Sequence, residues 1–130
     1  MQETEFFTQI LGIKSPWFIS KILLSNEDKR VDIYVNHSPG LAFPCPECEE
    51  LCSVYDHMKE RIFRHLNVCQ MATFIHVRLP RIECPTHGVR QIVSGLGEEN
   101  SNITNEFEAY LLDLQQECSI EGICRLVDIN

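Results

Sequence analysis

Two short motifs constrain this chain more than anything else in it: Cys45-Pro46-Glu47-Cys48 and Cys84-Pro85-Thr86-His87. Two residues between ligands let one tight turn present both side chains to a single ion. A second such turn, brought alongside by a sheet, completes a tetrahedron of thiolates and imidazole, the donor set that zinc prefers. The spacing therefore predicts a structural zinc ion held by Cys45, Cys48, Cys84 and His87. Cys52, four residues after Cys48, is the rival ligand, able to stand in for His87 and otherwise a buried strand thiol. With 35 residues between the knuckles, the ribbon must carry a long inserted hairpin. Four protein ligands leave no open position for water. Neither the H-x-E of zinc deaminases nor H-E-x-x-H occurs, so a hydrolytic metal is not expected.

The rest of the chain reads as α+β. Phe6, Phe7, Ile10 and Leu11 recur at helical spacing, which predicts a short helix over 3–12 ending at Gly12. Stretches 17–24 and 31–36, joined by Ser25-Asn26-Glu27-Asp28-Lys29, predict a β-hairpin. Four strands follow at 51–56, 61–66, 71–79 and 89–93, with Pro80 and Pro85 bounding the path into the second knuckle. In the third of them Met71, Thr73, Ile75, Val77 and Leu79 share one face. Ser94-Gly95-Leu96-Gly97 reads as a linker. Beyond it, Asn105 and Glu108 match a capping box, Phe107, Tyr110, Leu111 and Leu114 form an apolar helical face, and Ser119 caps a second helix with Ile120, Ile123, Cys124 and Val127 on one side. The expected units are thus 1–44, a helix and hairpin packed on the ribbon; 45–97, a zinc-ribbon-like antiparallel β unit; and 98–130, a helical segment.

Seven cysteines are an odd number and cannot all pair within one chain; in a reducing compartment such a cluster binds metal. Cys69, Cys118 and Cys124 read as small core residues, and His57, His65 and His76 as surface or hydrogen-bonded histidines. No apolar run is long enough to span a membrane and the start lacks a basic leader, so a soluble, cytoplasmic protein is expected. The net charge of −8 is uneven: residues 53–97 carry +3, whereas 98–130 carry −7. Within the basic stretch Lys59, Arg61, Arg64, His65, Arg78, Arg81 and Arg90 interleave with Tyr55, Phe63 and Phe74, and the five arginines with His65 are the expected nucleic-acid contacts. Arginines on neighbouring strands could hold nucleic-acid phosphates; a solvated sheet face is the competing reading.

Several blocks together resemble the amino-terminal region of insertion-sequence transposases of the ISL-three type: Phe43-Pro44-Cys45-Pro46-Glu47-Cys48, Tyr55-Asp56-His57, Arg64-His65-Leu66, and Pro80 through Val89. Leu11-Gly12-Ile13, Pro16-Trp17 and Val31 through Val35 fit as well, so the resemblance runs along nearly the whole chain. Glu49 departs from it where glycine is favoured, and Phe63 where tryptophan is. The resemblance implies a zinc-binding head followed by a helix-turn-helix and an acidic catalytic domain. Residues 119–127 would be the first helix of that motif and Asp128-Ile129-Asn130 would enter its turn, so the segment carries neither recognition helix nor catalytic core. The implied function is non-catalytic: assisting recognition of the terminal inverted repeats of a mobile element, with DNA binding weak in this fragment and homo-oligomers possible. A zinc-stabilised protein-interaction module is the alternative.

Overall fold

Alternation of β-branched and polar residues decides the first sheet. In the computed structural model, which describes residues 3–93, 96 and 101–127, helix α1 (Glu3–Leu11) leads into strands β1 (Trp17–Ser25) and β2 (Arg30–His37). Val31, Ile33 and Val35 of β2 point to one side and are buried, while Asp32, Tyr34 and Asn36 point to the other. After β3 (Ala42–Pro44) and β4 (Leu51–His57), a second hairpin, β5 (Arg61–Val68) and β6 (Met71–Val77), follows. Strands β7 (Pro80–Cys84) and β8 (Gly88–Gln91) come next, and helices α2 (Asn105–Gln115) and α3 (Ile120–Val127) complete the described order.

The strands make two four-stranded sheets, ordered β1-β2-β6-β5 and β3-β4-β7-β8. The inserted hairpin between the knuckles is present, but it does not lengthen the ribbon. Strand β6 pairs in parallel with β2, placing Ile33 beside Ile75 and Val35 beside Val77. This regroups the expected units, because β5 and β6 share a core with the amino-terminal hairpin. That core is Ile19, Val31, Ile33, Val35, Phe63, Ile75, Val77 and Leu79, closed by Phe7 and Leu11 of α1. Phe6 and Ile10, expected on the same helical face, are about half exposed. The strand expected at 71–79 stops at Val77, since the chain crosses between sheets at Arg78 and Leu79, and the strand beyond the crossing, β7, was not expected. Leu79 plugs the first core and its carbonyl accepts from the Met58 amide at 2.8 Å. At the seam Trp17 packs on His37 and Phe43, and His37 Nε2 meets His57 Nε2 at 2.8 Å.

The helical segment is fastened to the edge of β5. Arg64 forms a parallel bridge with Ile103, donating its amide to Asn102 and accepting from Thr104. The buried Arg64 side chain donates to Asn67 Oδ1 and to the Val127 carbonyl at the end of α3, and lies over the rings of Phe74 and Phe107. Phe107, Ile123 and Val127 pack with Leu66 into a third small core. Tyr110 and Ile120, assigned from the sequence to the buried faces, are exposed. The cap of α2 is Thr104, one residue before the expected Asn105, and its hydroxyl accepts from the Phe107 amide. Thr104 wins because its buried side chain also reaches His65. Ser119 caps α3 as expected, accepting from the Gly122 amide at 3.1 Å. Cys69, expected in a core, is exposed in the β5–β6 turn, where it and Gln70 both adopt positive φ. The linker expected at 94–97 lies outside the described residues except for Leu96, which packs on the first core; residues 128–130 also lie outside them.

His65 makes this docking pH-dependent. Thr104 Oγ1 accepts from Phe107 and so turns its own hydrogen towards His65 Nδ1, 2.8 Å away, which suits the neutral ring. Burial lowers the His65 pKa, with Glu106 pulling weakly the other way. The unfolded chain therefore takes up the proton first. Stability from neutral His65 is complete above about pH 6.5 and is lost as pH falls below it. NMR amide signals of Thr104 to Glu108 should broaden or shift as pH is lowered from neutral, and less so in His65→Asn, which keeps an acceptor but does not titrate.

Candidate metal centre

Both knuckles are tight turns at the end of the ribbon sheet. In the first, the Glu49 amide donates to the Cys45 carbonyl and the Cys45 amide to the Glu50 carbonyl, at 2.8 and 2.9 Å. This requires positive φ immediately after the second ligand: 64° at Glu49, and 77° at Gly88 in the second knuckle. Glycine enters that region freely and glutamate does not, which is the physical meaning of the sequence departure at Glu49. Strand pairing then sets the two turns side by side, with β4 joined to β7 and β7 to β8.

The four side chains converge. Their ligand atoms all lie within 4.8 Å of one another. Cys48 Sγ is 3.7 Å from Cys84 Sγ, while His87 Nδ1 is 3.6 Å from Cys84 Sγ and 3.8 Å from Cys45 Sγ. A tetrahedron with Zn–S of about 2.3 Å and Zn–N of about 2.0 Å has edges of roughly 3.8 Å between sulfurs and 3.6 Å from sulfur to nitrogen. The cage therefore has the dimensions of a zinc site. Its electrostatics agree. Backbone hydrogen bonds from His87 and Thr86 draw the Cys84 thiol below its ordinary range. At Cys48 the backbone of Glu50 favours the thiolate, yet desolvation and the neighbouring Cys84 and Cys45 prevail, pushing that thiol up to about 11. Crowded thiols that cannot all ionise together need a cation among them, and metal binding releases their protons. The residues fit a structural zinc with a closed Cys3His shell.

Cys52 is buried beside the cage but outside the group of mutually close ligand atoms, and its thiol donates to the Glu50 carbonyl at 3.2 Å. It is the strand thiol of the two readings. Glu47, inside the first knuckle, supplies an outer partner that the sequence reading missed. Its Oε2 faces His87 Nε2 at 3.9 Å and Arg90 Nε at 3.3 Å. An acid between two cysteine ligands was the available signal, since metal-bound histidines commonly direct their second nitrogen at a carboxylate.

The six residues expected to contact nucleic acid do not form one surface. Arg61 and Arg64 lie on β5 of the first sheet and Arg81 on β7 of the second. Burial removes Arg64, and His65 is held by Thr104. Arg61 donates to the Ser101 carbonyl at 2.6 Å. Arg81 makes a two-pronged pair with Asp56, raising its own pKa and lowering that of the carboxylate. Arg90 pairs with Glu47, leaving Arg78 exposed at the seam. The Arg64-His65 block thus anchors the helical segment. His76, read as hydrogen-bonded, is held by Asp32 and Glu60 at 2.6 and 2.9 Å.

Cys84→Ser should abolish stoichiometric zinc and unfold the ribbon strands, because structural zinc contributes on the order of 10 kcal/mol, comparable with the whole stability of a small domain. Elemental analysis and circular dichroism of protein purified without chelator check this. Glu49→Gly should keep the zinc and gain about 1 kcal/mol by relieving left-handed strain, read as a higher denaturation midpoint.

The model of a known family, the zinc-finger of transposase IS204/IS1001/IS1096/IS1165, matches residues 42–87. Those limits run from the first ribbon strand to the last ligand. Along nearly its full length the chain is also similar to the transposase for insertion sequence element IS1557 of Mycobacterium tuberculosis, in strains CDC 1551 / Oshkosh and ATCC 25618 / H37Rv. Each is 25% identical over 134 aligned positions, covering 99% of this chain. The chain spans only 30% of the length of these curated relatives. No solved structure matches it. Residues 42–87 thus match a zinc ribbon of the ISL-three transposase type, in a chain similar along its length to an insertion-sequence transposase.

Proposed function

We propose that this chain is a non-catalytic, zinc-stabilised DNA-recognition module of a transposase, assisting its binding to the terminal inverted repeats of a mobile element in the cytoplasm. The observation that carries this reading is the closed Cys3His cage inside a ribbon that matches a transposase zinc finger. A shell filled by protein ligands shapes a surface and offers no site for activating water. The task left to such a ribbon in a DNA-handling protein is to position the duplex, chiefly through phosphates. The helical segment, clamped by Arg64 and His65, gives this head a fixed attachment for whatever follows it in the longer relatives.

A second reading is a protein-interaction or homo-oligomer module. It is favoured by Tyr110, Leu112, Ile120 and Leu126, exposed on helices that also carry Glu106, Glu108, Asp113 and Glu121. Fluorescence anisotropy with a labelled duplex separates the two. Zinc-loaded protein should bind weakly at low salt, lose affinity steeply as salt rises, and bind no better than background once zinc is chelated. It should also leave the duplex uncut in magnesium. Absence of binding at low salt, together with concentration-dependent self-association in sedimentation, would favour the interaction module instead.

A further inference from the structure

The basic residues of the middle segment differ in what the fold does with their charge. Arg81 and Arg90 face Asp56 and Glu47, Arg64 is buried, and Arg61 is turned to a backbone carbonyl. Lys59 and Arg78 are both exposed at the seam between the sheets, one in the β4–β5 turn and the other where the chain crosses from β6 to β7. Arg78 Nε donates to the Met58 carbonyl at 3.1 Å. That bond holds the guanidinium beside the turn carrying Lys59, so the two cations belong to one place.

Of the acids nearby, Asp56 is held by Arg81 and Asp32 by Arg30, while Glu60 meets the His76 ring. Among the described residues Lys59 and Arg78 are in no ion pair, so their two positive charges outnumber the one carboxylate, Glu60, whose partner is a histidine. A polar cleft of about 280 Å³ opens there, lined among others by Asn36, His57, Arg78 and one carboxylate, Glu60, which is turned to His76. Tyr34 also lines it, and the Lys21 ammonium sits 4.3 Å above that ring. Lys21, Tyr34 and His76 are register partners across β1, β2 and β6, so they share the sheet face that runs into the cleft.

We propose that Lys59 and Arg78, backed by Lys21 across the sheet, are the cations that receive the DNA backbone phosphates. The proposal rests on the DNA-recognition reading and moves the contact away from Arg61 and Arg64. The side-chain amide of Asn36 lines the cleft and can donate to a phosphate oxygen, whereas the Ser20 hydroxyl is given to the Tyr34 carbonyl. The opposite charge of the duplex backbone selects this patch over the acidic helices.

The test compares three zinc-loaded proteins, each spanning residues 1–130, on one labelled mixed-sequence duplex across a salt series: the parent, Lys59→Gln/Arg78→Gln, and Lys14→Gln/Lys29→Gln. The last pair removes the same charge from exposed positions elsewhere, and zinc content reports folding of all three. Two lost phosphate contacts should lower the slope of log affinity against log salt by about 2, with the control pair close to the parent. A parent that binds while the seam variant matches it, or while the control weakens equally, overturns the placement and leaves the DNA reading standing. A parent that does not bind at low salt overturns both.

Discussion

Tetrahedral coordination is the constraint on which the ribbon depends. Of the six residues in the ribbon core, three are cysteines, and two of these, Cys45 and Cys84, are metal ligands. Phe43, Ile82 and Ile92 are its remaining buried side chains. So small an apolar core does not fix two sharp turns, one carrying a glutamate at positive φ, without a stronger tie. Zinc supplies it and also closes the long excursion between the knuckles, so that the β5–β6 hairpin leaves the ribbon and returns at a defined place.

That excursion lets one small domain combine two sheets. The hairpin pairs with β2 and buries Phe63, Ile75 and Val77 against the amino-terminal core, while Trp17, His37, Phe43 and His57 close the seam. The same hairpin offers its free edge to the helical segment, where Arg64 and His65 are consumed in holding Ile103, Thr104 and Val127. Metal, hairpin and helices thus form one mechanical chain from the knuckles to α3. The cost is borne by the surface: residues that would make a basic face are drawn into structural roles, and the positive charge left at the seam is concentrated on Lys59 and Arg78.

The parts that were legible in the sequence are those with local causes. Ligand spacing is enforced by a single turn, so Cys45, Cys48, Cys84 and His87 could be read directly, and so could the strands whose residues alternate. The inserted hairpin followed from the distance between knuckles, but its partner did not. A parallel pairing of β2 with β6 joins residues 42 positions apart, such as Ile33 and Ile75, and alternation in each is satisfied equally by a longer ribbon. The surroundings of the arginines were not legible for a similar reason. Composition shows charge but not compensation, and whether Arg64 meets solvent, a carboxylate or a helix end is decided by tertiary packing. Helix faces failed where a short helix buries only part of its apolar stripe, as at Phe6, Ile10, Tyr110 and Ile120.

X-ray absorption at the zinc edge reads the coordination shell itself. A closed Cys3His centre gives one zinc per chain with three sulfur neighbours at about 2.3 Å and one nitrogen at about 2.0 Å, the nitrogen signal showing the multiple scattering of an imidazole ring. Four sulfurs would mean that Cys52 displaces His87, and a shell containing water oxygen would mean that the site is open. Either result would contradict a closed Cys3His centre.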